Sequence, residues 1–249
     1  MSASGHETSQ PVPFAGLTFR GHNLEAIRRA PDMPKFIVTV NADFIVRAQE
    51  DVDFRRLIES HLSTFDGQVP FALARMLNRD RASQIEKLSG SDLIYTYLKE
   101  AAEAGKTSFL FGASPAANER AVKASKELYG GLVLGYSPPI AEEPLPATWT
   151  EEALQRISAA RPAYLFVALG APKQERWIAD NLDALRVAGV ECVMGCGGSI
   201  DFLGGTIKRA PRWVQSIGME GIYRLVSEPR FFRLLRLLRS FRVFAYVFK

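Results

Sequence analysis

The feature that most constrains the fold is an uninterrupted apolar run, Ala163–Leu169, followed directly by Gly170-Ala-Pro. Seven apolar residues in a row are typical of a strand buried on both faces, as in a parallel sheet. Gly170 permits a tight turn, and Pro172 suits the first position of a helix. Gln174 and Glu175 then fall in the first helical turn. The pattern predicts a strand, a turn and a helix whose N-terminus could hold a phosphate, although an ordinary β-to-α connection explains the same residues.

Strand-like runs alternate with helical patterns along most of the chain. The predicted strands, besides the first, are Lys35–Asn41, Thr107–Gly112, Gly131–Gly135 and Val190–Gly195. A helical pattern restarts at Asp51 and is expected to run to about Ser63. The alternation predicts an α/β fold with a Rossmann-like, doubly wound, mostly parallel sheet.

Length and charge suggest three regions. We expect residues 1–13 to be disordered, residues 14–223 to form the Rossmann-like domain, and residues 224–249 to be a basic amphipathic tail. The net charge is +4, but the tail alone carries +6 and the rest of the chain −2. Because the basicity belongs to the tail, the charge pattern argues against a nucleic-acid-binding body and for a tail that meets an anionic partner.

Two features that resemble metal sites have simpler explanations. Cys192 and Cys196 lack clustered histidines and are expected to be reduced thiols. Asp51-Val-Asp53 resembles the metal-binding Asp-x-Asp of sugar-nucleotide transferases, but it precedes apolar residues at helical spacing. Helix capping and first-turn charge explain the two carboxylates better than metal binding.

Polar residues at strand ends and turns are the candidate site residues. Thr39 and Asn41 end the strand at Lys35–Asn41. Asp66 precedes Gly67 between two apolar stretches, so it is either a turn residue or a partly buried carboxylate that could act as a base.

The segment Gly195–Asp201 reads as a strand end, a glycine-rich turn and an acidic residue. It matches only the start of the dinucleotide fingerprint, because Ile200 stands at the third glycine position, and this disfavours an oxidoreductase. Asp201 is either a ligand for a ribose or base edge, or an N-cap or loop residue.

Taken in order, these motifs resemble the WecG/TagA/CpsF family of bacterial glycosyltransferases. The resemblance spans about residues 35–235 and rests on an ordered set of short motifs: Thr39-Val-Asn41, Asp66-Gly67, Gly170-Ala-Pro-Lys-Gln-Glu175, Gly197-Gly198 with Asp201-Phe202, Lys208-Arg-Ala-Pro211, Gly218-Met-Glu220, and Arg224 with Glu228-Pro-Arg230.

The resemblance implies a Rossmann-like, metal-independent, inverting transferase. It implies that a hexose or N-acetylhexosamine-type sugar moves from a UDP donor to a polyprenyl-diphosphate-linked sugar, in cell-surface polysaccharide synthesis at the cytoplasmic face of the bacterial inner membrane. Whether the chain forms a homo-oligomer stays open. The rival hypothesis is a non-catalytic nucleotide-binding scaffold of a polysaccharide assembly complex.

The resemblance also implies roles for particular residues. Asp66 would be the general base, Thr39, Asn41 and Gln174 would line the sugar pocket, and the Gly197–Asp201 turn, with Gly198, would meet the uridine. Gly170 and Lys173 belong to the implied donor site. Because the leaving UDP gains charge and no metal is expected, tail arginines would stabilise it, and the candidates are Arg224, Arg230 and Arg233.

Two departures from the family pattern lie on the implied acceptor side. Gly221 stands where the family commonly has Trp, and Gln68-Val-Pro70 replaces the usual small or aliphatic residues.

The tail has arginine at every third position from Arg230 to Arg242 and no apolar run long enough to span a bilayer. We expect it to bind an anionic membrane surface, with a solvated basic helix as the alternative.

Overall fold

The computed structural model describes residues 10–139, 145–207, 209–227, 229 and 231–248, apart from the side chains of residues 212, 224 and 232. Its strands are β1 (Val12–Phe14), β2 (Leu17–Phe19), β3 (Lys35–Val40), β4 (Leu62–Phe65), β5 (Ser108–Gly112), β6 (Val133–Tyr136), β7 (Tyr164–Ala168) and β8 (Cys192–Gly195).

The helices before the middle of the chain are α1 (Leu24–Arg29), α2 (Ala42–Glu50), α3 (Val52–Ser60), α4 (Gln68–Leu77), a 3-10 helix at Arg79–Gln84, α5 (Gly90–Glu103) and α6 (Pro115–Tyr129). The later helices are α7 (Ala147–Ala160), α8 (Lys173–Asp180), α9 (Leu182–Val187), α10 (Ser199–Leu203), α11 (Arg212–Ser216), α12 (Glu220–Ser227), α13 (Phe231–Phe241) and α14 (Val243–Val247). None of the helices in the described ranges is long and apolar enough to cross a membrane.

The main sheet has six strands in the order β4-β3-β8-β7-β5-β6. The pairs β3–β8, β8–β7, β7–β5 and β5–β6 are parallel. This sheet, alternating with helices along the chain, confirms the predicted α/β, Rossmann-like fold. In the chain β8 follows β7 after the helices α8 and α9, but in the sheet it lies between β3 and β7.

The chain divides into two compact units. The first comprises the described parts of Met1–Pro31, Val40–Leu88 and Ala210–Lys249, and the second comprises Asp32–Thr39 and the described parts of Ser89–Arg209. The predicted tail therefore falls in the first unit, together with α2, α3 and α4.

The second unit holds most of the parallel sheet. β7 is the apolar run at Ala163–Leu169, and Leu165, Phe166 and Val167 are at most 1% exposed. Burial raises the pKa of the Cys192 thiol to about 12, and burial together with the Glu175 carboxylate raises the pKa of Cys196. Both cysteines are free and buried, which agrees with the reduced thiols expected from the sequence.

The first unit contains one strand, β4, and one hairpin, β1–β2, that differ from the predictions. The predicted helix ends at Ser60, and the next residues form the buried strand β4. Residues 12 and 13, assigned to a disordered N-terminus, belong to β1, which pairs with β2 in an antiparallel hairpin. The ring of Phe19 in β2 stacks on Phe65 of β4 with centroids 4.0 Å apart, so the hairpin shares the core of this unit.

Candidate active site

Asp66 follows directly on the end of β4. Its backbone N–H donates to Val40 O at 3.0 Å, which holds it beside the end of β3 within the first unit. Gly67 has φ +89°, a conformation that favours glycine, and α4 begins at the next residue. The structure thus makes Asp66 a half-buried carboxylate at the carboxyl end of a strand, rather than a break within one helical stretch.

Asn41 lies at the neighbouring strand end of the same unit. It is the N-cap of α2, and its Oδ1 accepts from Phe44 N–H at 3.2 Å. Because the cap uses the side-chain oxygen, a donor role toward a ligand falls to Nδ2. Asn41 follows Val40, whose carbonyl accepts from Asp66, so the fold brings these two predicted residues together.

Three strand ends are adjacent in the second unit because β8 lies between β3 and β7. These are the ends at Thr39, Gly195 and Gly170. Thr39 is 7% exposed, and its Oγ1 lies 3.3 Å from the place where a Cβ on Gly90 would stand. The same Cβ position is 3.7 Å from Gly195 O, so Thr39, the start of α5 and the end of β8 meet.

The turn after β7 has the predicted form. Gly170 has φ +86° with no neighbouring atom in the Cβ direction, so the backbone conformation, not crowding, requires glycine there. Gly170 O accepts from Gln174 N–H at 3.0 Å, and α8 begins at Lys173, which is half-buried. Pro172 precedes the first helical residue instead of occupying it.

Gln174 and Glu175 form a buried hydrogen-bond chain that ends at the glycine-rich turn. Gln174 is 3% exposed and Glu175 1%. Gln174 Nε2 donates to Glu175 Oε1 at 2.7 Å, and Gln174 Oε1 accepts from Gly197 N–H at 3.2 Å. A Cβ on Gly195 would overlap Glu175 Oε1 and lie 2.7 Å from Gln174 Nε2. The Gln174 side chain therefore supports the glycine-rich turn through its hydrogen bond with Gly197.

Gly197 and Gly198 lead into α10. Gly197 has φ +49°, and Gly198 occupies the N-cap position. Asp201 lies inside the first turn of α10, so it is neither an N-cap nor a loop residue. Its side chain is half-buried, and its carbonyl accepts from Thr206 N–H at 2.9 Å.

The carboxylates of the Asp-x-Asp segment have the local roles that their spacing predicts. Asp51 caps α3 through Phe54 N–H at 2.9 Å, and exposed Asp53 pairs with Arg56 at 3.2 Å. Among the described residues, no group of three or more His, Cys, Asp or Glu side chains is arranged to hold a metal ion.

Of the tail arginines proposed from the sequence, Arg233 is half-buried on α13. Arg230 and the side chain of Arg224 lie outside what the structure describes.

Sequence reasoning missed two charged residues, one in each compact unit. Arg209 pairs with Asp92, in the first turn of α5, at 2.7 Å, and Asp43 is a buried carboxylate in the first turn of α2. Arg209 stands in the Lys-Arg-Ala-Pro motif, which signalled it without a partner. Asp43 had only one signal, an acidic residue two positions after Asn41, and that is equally typical of ordinary helix starts.

Comparison with known protein families adds one finding. Residues 11–249 match the family described as Glycosyl transferase WecG/TagA/CpsF family. The match covers nearly the whole chain, including the hairpin, both compact units and the tail.

Proposed function

Because the chain belongs to the WecG/TagA/CpsF family of glycosyl transferases, we propose that it is an inverting UDP-sugar transferase. The donor sugar is a hexose or N-acetylhexosamine type, and the acceptor is a sugar linked to polyprenyl diphosphate in bacterial cell-surface polysaccharide synthesis. The observation that carries the proposal is Asp66: a half-buried carboxylate at a strand end, held beside Asn41 through Val40.

In this mechanism Asp66 takes the proton from the acceptor hydroxyl as that oxygen attacks the anomeric carbon of the donor. The bond between this carbon and the UDP oxygen breaks, and the electron pair leaves with UDP. A single displacement of this kind inverts the anomeric carbon. General-base catalysis by a positioned carboxylate typically contributes 10²–10⁴-fold to the rate, in order of magnitude.

The remaining candidate residues bind and stabilise the donor. Thr39 and Asn41 contact the sugar, and Gln174 shapes the turn at Gly197 that faces the uridine, with Asp201 beyond it. Gly170 and Lys173 form the turn at the start of α8. Hydrogen-bond donors directed at the leaving UDP act in the transition state, because its negative charge develops there. We assign this role to the guanidinium groups of Arg233, Arg224 and Arg230.

We propose that the transfer needs no bound metal ion or other cofactor. The capping role of Asp51 and the surface ion pair of Asp53 support this, because they account for the Asp-x-Asp segment without a ligand. The rate of UDP release should then be the same with and without a chelator.

We further propose that the protein works at the cytoplasmic face of the inner membrane, bound through its tail. The support is the apolar surface of the last two helices. On α13, Phe231 is 74% exposed, Leu238 55% and Phe241 56%, and Phe248, directly after α14, is 63% exposed. Exposed aromatic and leucine side chains on a short basic helix are typical of segments that lie in a membrane interface.

The test of the reaction is Asp66→Asn, assayed by UDP release from a panel of UDP-sugars with a synthetic prenyl-diphosphate sugar as acceptor. We expect UDP release to fall at least about 100-fold, because the amide cannot take the proton, while UDP binding persists. The matched control is Asp53→Asn, an exposed aspartate on α3 that should leave the rate unchanged. Transfer at the wild-type rate by Asp66→Asn would refute Asp66 as the base. UDP binding by the wild type with no transfer to any acceptor would favour the scaffold hypothesis.

A further inference from the structure

Asp43 is a buried carboxylate that faces three arginines. It is 2% exposed and lies in the first turn of α2. Arg47 Nε, one turn further along α2, lies 2.9 Å from Asp43 Oδ2. Arg239 Nη1 lies 3.2 Å from Asp43 Oδ1, and Arg236 Nε lies 3.8 Å from Asp43 Oδ2. The last two arginines belong to α13.

Removal of this one negative charge would be costly. An aspartate is stable in a buried place only when its charge is paired and hydrogen-bonded, and here the guanidinium groups supply both. Without the carboxylate, three cations would face one another at the contact between α2 and α13. The carboxylate therefore determines whether the arginine side of α13 can pack against α2.

A second ion pair extends the same contact. Arg242 is the N-cap of α14, and its Nη1 donates a hydrogen bond to Oε1 of Glu50, at the end of α2, at 2.5 Å. Both side chains of this pair are about half exposed, so we expect it to contribute little compared with the buried cluster. Arg236, Arg239 and Arg242 thus turn toward α2, while Leu234, Leu238 and Phe241 remain exposed.

The cluster is close to the candidate catalytic residues of the first unit. Asp43 is two residues beyond Asn41, the N-cap of α2. Asp66 is held at the same place by its hydrogen bond to Val40 O. A helix fixed to Asp43 is therefore fixed beside the strand ends that carry Asn41 and Asp66.

We propose that Asp43 is a positioning residue: it fixes the tail helix α13 at the start of α2, so that the tail is held in register with Asn41 and Asp66 for sugar transfer. The part of this inference that concerns transfer rests on the proposed function. Asp43 itself touches no substrate in this role and acts through Arg236 and Arg239.

The experiment compares Asp43→Asn, Arg239→Gln and the double variant with the wild type. Hydrogen exchange of the amides of α13 measures docking of the tail, and exchange of α3 reports any general loss of stability. Steady-state UDP release measures kcat and the KM for the donor. Asp53→Asn is the control for loss of an acidic residue, and Glu50→Gln tests the exposed pair of the same contact.

We expect Asp43→Asn to speed exchange in α13 at least tenfold, with α3 unchanged. We expect kcat to fall at least tenfold and the donor KM to change less than twofold, because charge on the leaving UDP develops in the transition state. Arg239→Gln should act in the same direction, and the double variant should be no worse than Asp43→Asn, because both changes break one contact.

Three results would overturn the proposal: unchanged exchange in α13, faster exchange with kcat still within twofold of the wild type, or effects that multiply in the double variant. Failure of the proposed function looks different. In that case the wild type releases no UDP from any donor, while the exchange data still decide whether Asp43 holds α13.

Discussion

At the scale of single residues, the hydrogen-bond chain from Glu175 through Gln174 to Gly197 gives Gln174 a structural role. A carboxylate only accepts hydrogen bonds, so Glu175 forces Nε2 of Gln174 toward it and directs Oε1 to Gly197 N–H. The resemblance assigns Gln174 to the sugar pocket, but its side chain is 3% exposed and bonded at both ends of the amide. We propose that Gln174 affects the donor mainly through the shape of the turn.

The close contact of Gly195 with Gln174 and Glu175 predicts the effect of a substitution there. A methyl group at this position would overlap the Glu175 carboxylate, so Gly195→Ala should lower the free energy of unfolding by about 1–3 kcal/mol, as overpacking in a core typically does. Donor KM should rise as well, because the turn above it shifts. Chemical denaturation and UDP-release kinetics measure the two effects.

Gly221→Ala is the matched control for that substitution. Gly221 lies in α12, and a Cβ there would be 3.6 Å from Leu237 Cδ1, an ordinary contact. The alanine should be neutral or stabilise by up to about 1 kcal/mol, because it has the higher helix propensity. Equal stability of both variants would show that the Gln174–Glu175 pair has room to move and is not a rigid brace.

At the scale of elements, the buried apolar runs were predictable, whereas β1, β2 and β4 were not. β3, β5, β7 and β8 are continuous apolar or β-branched runs, and the chain has them where the sequence predicts. β4 has only four residues, and two of them, Ser63 and Thr64, are polar although fully buried. Their hydroxyls donate to Thr18 O and Leu88 O, partners 45 and 24 residues away in sequence. No local pattern contains that information.

The tail helices show the same limit. The three-residue spacing of the arginines predicts no single polar face on a helix of 3.6 residues per turn. The structure turns three of these arginines toward Asp43 and Glu50 of α2 and leaves Leu234, Leu235 and Leu238 exposed. Membrane attraction by the tail would then depend more on its apolar side chains than on free arginine charge.

This orientation makes a prediction for α13. Leu234→Gln with Leu238→Gln removes two side chains that are 40% and 55% exposed. Co-sedimentation with vesicles of phosphatidylcholine and phosphatidylglycerol should fall at least about tenfold, since burial of one leucine side chain is worth about 1.5–3 kcal/mol. Stability should be unchanged, because neither leucine is in the core.

The control for vesicle binding is Leu128→Gln with Leu132→Gln, which removes two leucines of similar exposure, 60% and 56%, outside the tail. These changes should leave co-sedimentation unaltered. If the tail variant binds vesicles as well as the wild type, the exposed face of α13 does not meet the membrane.

At the scale of the whole molecule, the order of the strands places the candidate residues. Because β8 lies between β3 and β7, the ends at Thr39, Gly195 and Gly170 are neighbours at one edge of the sheet. Ligands of open α/β sheets bind beyond this edge. The glycine-rich turn and the start of α8 thus form one surface of the second unit.

A ligand that binds only the folded chain should stabilise all of it. We expect UDP to raise the free energy of unfolding by about 2.7 kcal/mol at 100 times its Kd, measured as a shift in Tm. NAD should produce no shift, because Ile200 replaces the third glycine of the dinucleotide fingerprint. A shift with NAD and none with UDP would contradict the proposed donor and favour an oxidoreductase.

The sequence alone determined the fold class, the buried strands and the family, because apolar runs, glycine turns and ordered motifs are local properties of the chain. The tertiary structure decided what depends on contacts between distant segments. It placed β8 between two earlier strands, placed Asp66 directly after a strand, buried Gln174 on Glu175, and paired tail arginines with Asp43, 193 and 196 residues away. Each of these outcomes is set by which partner satisfies a buried polar group or fills the core, and that partner is not adjacent in sequence.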